Sequence, residues 1–147
     1  FDAVLAFDNA LPHLPTFEDL ALAASQMRAR LRPGGAFLIS VRDYDQLRQE
    51  RPRLTSERVF DAPAGRRITF QLWDWDPDGA GYALEQLILR ERSPGRWETH
   101  SSRGRYRAVG REELERALSS AGLRDVRWRP PDATGFYQPI LTARAPD

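Results

Sequence analysis

Residues Phe1 to Pro15, FDAVLAFDNALPHLP, decide the fold that we predict for this chain. The apolar run Phe1–Phe7 predicts a buried β-strand, and the polar residues Asp8 and Asn9 follow it directly. His13 comes shortly afterwards in the same connection. In open α/β sheets, ligand sites form where the strands end and deliver polar side chains at their carboxyl ends. The opening stretch therefore predicts one wall of a binding site.

The segment after this strand predicts a helix and a second buried strand. Thr16 is a suitable N-cap, and apolar residues then recur at helical spacing as far as Leu31. A Pro-Gly-Gly turn at 33–35 follows, and Ala36–Val41 predicts the second strand. In such a βαβ unit the two strands run parallel, so their carboxyl ends open on the same edge of the sheet. The side chains that we expect to share this crevice are Asp8, Asn9, His13, Arg42, Asp43 and Tyr44.

The middle of the chain predicts an antiparallel meander. Turn signals containing Pro and Gly occur at 63–65, 77–79 and 93–95. The strands predicted between them are Glu57–Asp61, Arg66–Trp75, Tyr82–Arg92 and Trp97–Arg107. The composition of Tyr82–Arg92 also allows a helix.

The last part of the chain returns to α/β character. Arg111–Ala121 predicts a helix with Leu114 and Leu118 facing inward and Gly122 as its carboxyl-terminal cap. Two further strands are predicted at Asp125–Arg129 and Gly135–Ala145.

These elements predict an α/β fold, a partial doubly wound sheet of the Rossmann-like kind with an antiparallel β insertion. We expect a single domain over residues 1–147. Within it, a βαβ unit with the site loops covers 1–50, the insertion covers 55–108, and a terminal helix and two strands cover 109–147.

Composition narrows the possible functions. The net charge of +1 gives no overall field that would attract nucleic acid or an acidic membrane. The absence of Cys excludes disulfides, thiolate catalysis and zinc–sulfur sites, and the presence of only two His argues against a multi-histidine metal site. No apolar run reaches membrane-spanning length and no signal peptide is recognisable, so we expect a cytoplasmic location.

Two other patterns each have a functional and a structural interpretation. One matches the spacing of a calcium-binding loop, although Pro77 and the strand-like flanks favour a solvated hairpin turn. Its residues are Asp74, Asp76, Asp78, Gly79 and Glu85. The other is the alternating set Arg103, Arg105 and Arg107, which could contact RNA or an anionic substrate but is more simply a solvated basic face.

Residues 7–14, the turn at 31–35 and residues 41–45 together resemble a class I S-adenosylmethionine-dependent methyltransferase of the glycine/sarcosine N-methyltransferase-like kind. The resemblance extends to the stretch GFYQP at 135–139 and covers most of the chain, as the carboxyl-terminal half of such an enzyme. It implies transfer of a methyl group from S-adenosylmethionine to a small amine or carboxylate-bearing acceptor.

The resemblance also implies roles for individual residues. Phe7, through its backbone carbonyl, Asp8 and His13 would contact the cofactor. Asn9 would meet the methyl acceptor, and Arg42 would pair with an acceptor carboxylate, which a guanidinium binds through two parallel hydrogen bonds. The remaining residues expected at the acceptor pocket are Tyr44, Tyr106 and Tyr137.

Each of these residues also has a purely structural interpretation. Asn9 could shape a turn, and His13 could be a satisfied structural histidine. Arg42 could pair on the surface with Asp43 or Asp45, and the tyrosines Tyr106 and Tyr137 could serve core packing.

The sequence departs from the family in its cofactor-binding motifs. The Gly-rich loop and the acidic residue that holds the ribose are absent, because neither Gly34-Gly35 nor Gly79-Ala80-Gly81 precedes a helix N-terminus. We therefore expect half of a cofactor pocket, in a chain that looks like a piece of a longer protein. The competing interpretation is a non-catalytic fragment or interaction module. An unpaired apolar edge strand promotes association, so we expect homodimerisation, or pairing with a missing amino-terminal half, through Phe1–Phe7.

Overall fold

The computed structural model describes residues 1–61, 63 and 65–147, which divide into two compact units. The first unit contains residues 1–49 and 107–147, and the second contains residues 50–106. Two four-stranded sheets form the β structure of the described residues.

The first unit begins with the predicted parallel strand pair. Strand β1 (Ala3–Ala6) pairs in parallel with β2 (Ala36–Ser40), and helix α1 (Phe17–Arg28) connects them. The other elements of this unit are a 3₁₀ turn at Leu11–His13, α2 (Tyr44–Glu50, which ends at the unit boundary), α3 (Arg111–Ser120), β7 (Arg124–Arg129), α4 (Pro131–Thr134) and β8 (Ile140–Arg144). The sheet order is β1-β2-β8-β7, with β8 antiparallel to both of its neighbours. The prediction that the first strand lies at an edge is confirmed.

Helices cover one face of this sheet. The register aligns Ala6 with Ile39 and Ile39 with Leu141, so these three side chains point to the same side. All three are buried in the core, together with residues of α1 and α3 such as Leu20 and Leu118. The apolar residues that recur at helical spacing in α1 and α3 therefore pack against every second residue of the strands.

The other face of the same sheet is open in the described residues. Leu5 pairs with Leu38, and Leu38 with Thr142; the Leu5 side chain is 59% exposed. A groove of about 410 Å³ runs along this face over Ala36 and Leu38. Its polar lining is Asp125, Arg127, Arg129, Thr142 and Arg144.

Helix ends follow the predicted capping residues. The Thr16 hydroxyl accepts the Asp19 N–H at 3.0 Å, which satisfies one donor of the first turn of α1. At the end of α3, the N–H of Gly122 donates to the carbonyl of Ser119 at 3.0 Å, and that of Leu123 to the carbonyl of Leu118 at 3.1 Å. This is a Schellman motif, and it requires the left-handed φ of +80° that Gly122 adopts.

The second unit is the predicted meander. Its sheet order is β3-β4-β5-β6, and β4 is antiparallel to β3 and β5. The strands are β3 (Arg58–Phe60), β4 (Arg67–Trp75), β5 (Gly81–Ser93) and β6 (Arg96–Arg107), so the helical alternative for the third strand is wrong. Trp73 stacks on Tyr82 at 4.4 Å between ring centroids, and both are buried. The predicted turn Pro63-Ala64-Gly65 includes Ala64, which lies outside the described residues.

Two sequence predictions need correction. The loop before α1 contains the 3₁₀ turn Leu11–His13. The predicted strand Gly135–Ala145 is wrong for its first five residues, since β8 begins only at Ile140. Helix α4 ends at Thr134, its cap Gly135 adopts a left-handed φ of +70°, and Pro139 has no N–H with which to extend the ladder.

Candidate functional site

The carboxyl ends of β1 and β2 lie side by side, as the βαβ prediction requires. Directly after β1, Asp8 and Asn9 both adopt the left-handed conformation, with φ of 56° and 64°. The hydroxyl of Ser40, at the end of β2, accepts the N–H of Asp8 at 2.7 Å, and its carbonyl accepts the N–H of Asn9 at 3.0 Å. Asp and Asn tolerate this conformation better than most residues, so the chain reverses sharply at the sheet edge.

The Asn9 side chain joins the two loops of this edge. Its amide nitrogen donates to the Tyr44 hydroxyl at 2.8 Å, and its amide oxygen accepts the backbone N–H of Arg42 at 3.3 Å. Asn9 is 3% exposed and Tyr44 1% exposed. A buried amide with both ends hydrogen-bonded fixes the relative position of the groups that it connects.

The segment before β8 brings aromatic side chains to the same edge. The ring of Phe7 lies 5.5 Å from that of Phe136, which lies 4.8 Å from the ring of Tyr137. The Tyr137 hydroxyl donates to the Asp8 carboxylate, across 129 residues of sequence. Residues from the two ends of the chain therefore meet beside the Asp8–Asn9 turn.

Gln138 is a polar residue of this edge that sequence reasoning missed. It is 5% exposed, and its side-chain oxygen has no hydrogen-bond donor among the described residues. The carbonyl of the next residue, Pro139, accepts the N–H of Val41 at 3.3 Å, which fixes Gln138 beside the end of β2. The available signal was an amide residue within the otherwise apolar and aromatic stretch GFYQPI.

The remaining predicted residues differ in their placement. His13 is exposed at the end of the 3₁₀ turn, whose Leu11 and Pro12 are buried. Arg42 is half-buried directly after β2. Tyr106 belongs to the second unit, where it stacks on Tyr82 with 5.6 Å between centroids. The residues that share the edge of the first sheet are Phe7, Asp8, Asn9, Arg42, Tyr44 and Tyr137.

Arg111 pairs with two acidic residues that follow Arg42 in the sequence. Arg111 contacts the Asp43 carboxylate at 2.6 Å and the Asp45 carboxylate at 3.9 Å. These contacts attach the start of α3 to the start of α2 within the first unit.

The calcium-like pattern is a hairpin turn, as predicted. Three of its acidic residues pair with arginines, Asp74 with Arg53, Asp76 with Arg105 and Glu85 with Arg103. The carboxylate of the fourth, Asp78, accepts the N–H of Ala80 at 2.8 Å. Over residues 1–61, 63 and 65–147, no cluster of three His, Cys, Asp or Glu is arranged to hold a metal ion. The alternating arginines are thus neutralised by carboxylates, Arg107 by Glu113.

Among the helices that the structure describes, none has the length and apolar character needed to cross a membrane.

Comparison with known proteins identifies the fold. No family model matches the sequence, and no curated protein matches it. Among solved structures, DesVI of Streptomyces venezuelae superposes with a TM-score of 0.76 at 17% identity, over 100% of this chain and 59% of DesVI. CalS10, an amino pentose methyltransferase of Micromonospora echinaspora solved with bound S-adenosylmethionine, gives 0.75 at 20% identity, over 98% of this chain and 58% of CalS10. The sugar N-methyltransferase KedS8 of a Streptoalloteichus species gives 0.74 at 15%, over 100% of this chain and 57% of KedS8.

The chain thus spans less than two thirds of the length of these structures. The superposition covers both the α/β elements and the antiparallel insertion, because it includes nearly the whole chain. The chain therefore has the Rossmann-like α/β fold of this group of methyltransferases.

Proposed function

We propose that the chain belongs to an enzyme that transfers a methyl group from S-adenosylmethionine to the amine of a small acceptor. The observation that carries this proposal is the polar turn Asp8–Asn9, held at the carboxyl edge of β1 and β2 in a fold shared with methyltransferases. Ligands of open α/β sheets bind at this edge. The names of CalS10 and KedS8 favour an amino sugar or a similar amine as the acceptor.

The chemistry of the edge suits the methionine portion of this cofactor. When bound, S-adenosylmethionine supplies a methyl group on a positively charged sulfur. The Asp8 carboxylate and the aromatic faces of Phe7 and Phe136 are groups that stabilise nearby cations. We assign Phe7, Asp8 and His13 to the cofactor, with Tyr137 orienting the Asp8 carboxylate by its hydroxyl.

The acceptor side is assigned to residues that follow β2 and precede β8. Arg42 would hold an acceptor carboxylate or other anionic group, with Asn9 and Tyr44 positioning its loop. Gln138 offers a buried oxygen that would accept an N–H of the amine. Tyr137 would line the pocket, and the predicted contacts of Asn9 and Tyr106 with the acceptor stay predictions.

Methyl transfer to an amine is a displacement that depends on alignment more than on acid–base catalysis. The hydrogen bonds of the turn would hold the reacting groups in line, because Ser40 and Asn9 leave its backbone little freedom. We further propose a cytoplasmic enzyme whose β1 edge, Phe1–Phe7, pairs with a strand of a second copy or of an amino-terminal half.

Calorimetric titration with S-adenosylmethionine tests the proposal. We expect the full-length polypeptide that contains this chain to bind, and Asp8→Asn to weaken binding at least tenfold. Asp2→Asn is the matched control, since Asp2 lies at the opposite end of β1 and pairs with Arg32 at 2.7 Å. Absence of binding by the full-length polypeptide would instead support the non-catalytic interaction module.

A further inference from the structure

One face of the sheet in the second unit ends in a group of arginines. Phe60 pairs with Arg67 and Arg67 pairs with Arg90, so these three side chains point to the same side of the sheet. Arg58, two residues before Phe60 on β3, points to that side as well. We name this surface the arginine face; its members are Arg58, Phe60, Arg67 and Arg90.

The arginines of this face lie close together although their charges repel each other. Arg67 and Arg90 are directly opposed on antiparallel strands, a position at which β-carbons are about 4.5–5.5 Å apart. Arg58 is opposed to Thr69, so it is a diagonal neighbour of Arg67 at about 7–8 Å. Like charges in such positions destabilise a sheet, and a negatively charged group bound between them would remove the repulsion.

The arginine face has no carboxylate partner in the part of the chain that the structure describes. Over residues 1–61, 63 and 65–147, none of its three arginines belongs to an ion pair. Arg58 and Arg67 are exposed and Arg90 is half-buried. The Arg67 guanidinium lies 4.7 Å from the centre of the Phe60 ring, a cation–π contact that leaves its N–H groups available to an oxyanion.

The carboxylates that follow Arg90 in the sequence are held by other arginines. Arg66 pairs with Glu91 at 2.9 Å, and Arg92 pairs with Glu98. The hydrogen bonds from these arginines lower the pKa of both carboxyl groups, so both pairs stay ionised at neutral pH. The negative charges close to Arg90 in the sequence are therefore already paired.

The arginines occupy the accessible end of their face of the sheet. Trp73 and Tyr82 point to the same side as Arg67, but both are buried. Between the two ends, the side-chain nitrogen of Gln71 donates to the side-chain oxygen of Gln86 at 2.9 Å, so these amides bond to each other. A polar ligand on this face would therefore meet the arginines first.

We propose that the arginine face binds a phosphate group between Arg67 and Arg90, with Arg58 at its side. Arginine binds phosphate through paired, charge-assisted hydrogen bonds and stays protonated at physiological pH. A phosphate monoester carries about 1.5 to 2 negative charges at neutral pH, so two guanidinium groups neutralise it. A ligand with two linked phosphate groups would also use Arg58. The site belongs to the second unit and the Asp8–Asn9 turn to the first, so this inference does not depend on the proposed methyl transfer.

Titration of the 147-residue chain with inorganic pyrophosphate tests the proposal. Two guanidinium groups at an accessible site should give a dissociation constant of about 1 mM or lower in low salt. Arg90→Gln should weaken binding about tenfold, because it removes one charge-assisted partner. Arg66→Gln is the matched control and should leave binding unchanged, since Arg66 directly precedes Arg67 but pairs with Glu91.

Urea denaturation distinguishes a binding role of Arg90 from a structural one. Without ligand, Arg90→Gln relieves the repulsion with Arg67, so the midpoint should be unchanged or slightly higher. Pyrophosphate at roughly 10 mM should raise the midpoint of the unsubstituted chain and have little effect on that of Arg90→Gln. A lower midpoint of Arg90→Gln without ligand would give this arginine a structural role and overturn the proposal.

The phosphate group could belong to a free ligand or to a lipid headgroup, and sedimentation with vesicles separates these sources. Binding to phosphatidylglycerol vesicles but not to phosphatidylcholine vesicles, lost in Arg90→Gln, would support the site and assign it to a headgroup. Pyrophosphate binding without vesicle binding would support the site and assign it to a free ligand. Absence of both kinds of binding, or equal weakening by Arg66→Gln and Arg90→Gln, would overturn the proposal.

Discussion

At the scale of single residues, Asn9 determines the form of the candidate site. Its side chain spans from the end of β1 to Arg42 and Tyr44, and its backbone adopts a φ of 64°. The residue therefore contributes in two separate ways, through two hydrogen bonds and through its tolerance of the left-handed conformation.

Substitution can separate these two contributions. Asn9→Ala removes both hydrogen bonds and places alanine, which tolerates the left-handed conformation less well than asparagine, at a φ of 64°, so we expect the free energy of unfolding to fall by about 2–4 kcal/mol. Asn9→Gly removes the same hydrogen bonds without the backbone penalty, so its loss should be smaller by about 1 kcal/mol. Urea denaturation of both variants measures the difference. Equal losses would show that the backbone conformation at position 9 carries no cost.

Gln138 provides the second prediction at this scale, and it rests on the proposed function. Its side-chain oxygen is buried without a donor among the described residues, so Gln138→Met should leave the free energy of unfolding unchanged or slightly higher. In the full-length enzyme the same variant should lower kcat/KM for the amine acceptor about tenfold, because the N–H would lose its partner. A destabilised variant with unaltered kcat/KM would instead assign Gln138 a structural role.

The residues of the site could be predicted from sequence only where topology alone brings them together. Asp8 and Arg42 follow two strands of one βαβ unit, so their proximity follows from a local pattern. The contact between Asp8 and Tyr137 joins positions 129 residues apart, and the burial of Ser40 and Gln138 depends on the packing of β8 beside β2. No periodicity in the sequence contains that information.

At the scale of elements, periodicity and capping residues were sufficient for most of the chain. Helix α3 was predicted with its buried residues Leu114 and Leu118, and its end at Gly122 is confirmed. The prediction failed at 135–139, where an apolar composition resembled a strand but the preceding helix α4 and Pro139 prevent ladder formation. Composition therefore predicted too long a strand, whose start is delayed by the helix cap at Gly135 and by Pro139.

The cap of α3 gives a prediction for an element. A β-carbon added at Gly122 would meet no heavy atom within 4 Å, and the same holds at Gly104 in β6. Only Gly122 has a positive φ, so Gly122→Ala should lower the free energy of unfolding by about 1 kcal/mol. Gly104→Ala should have no such cost, since alanine is favoured over glycine within a strand. Thermal unfolding followed by circular dichroism would detect the difference, and equal melting temperatures would contradict it.

At the scale of the whole molecule, each of the two sheets leaves apolar side chains exposed on one face. In the first unit these include Leu5, and in the second they include Val59 and Leu54. The two surfaces differ in their surroundings, because arginines line the first whereas neutral ion pairs surround the second. This difference sets the two surfaces apart, and for the first sheet we propose a further part of the polypeptide as the occupant.

Two truncations in the first sheet test the proposed occupant of its open face. Ile39 is fully buried on the helix-covered face, so Ile39→Ala should lower the free energy of unfolding by about 2–4 kcal/mol. Leu5→Ala should cost less than about 0.5 kcal/mol in the 147-residue chain, since that side chain is 59% exposed. In the full-length polypeptide we expect Leu5→Ala to become nearly as costly as Ile39→Ala, because an amino-terminal half paired with β1 would bury Leu5. A cost that rises with protein concentration would identify a second copy as the partner, and a cost that stays small in both forms would contradict any association at this edge.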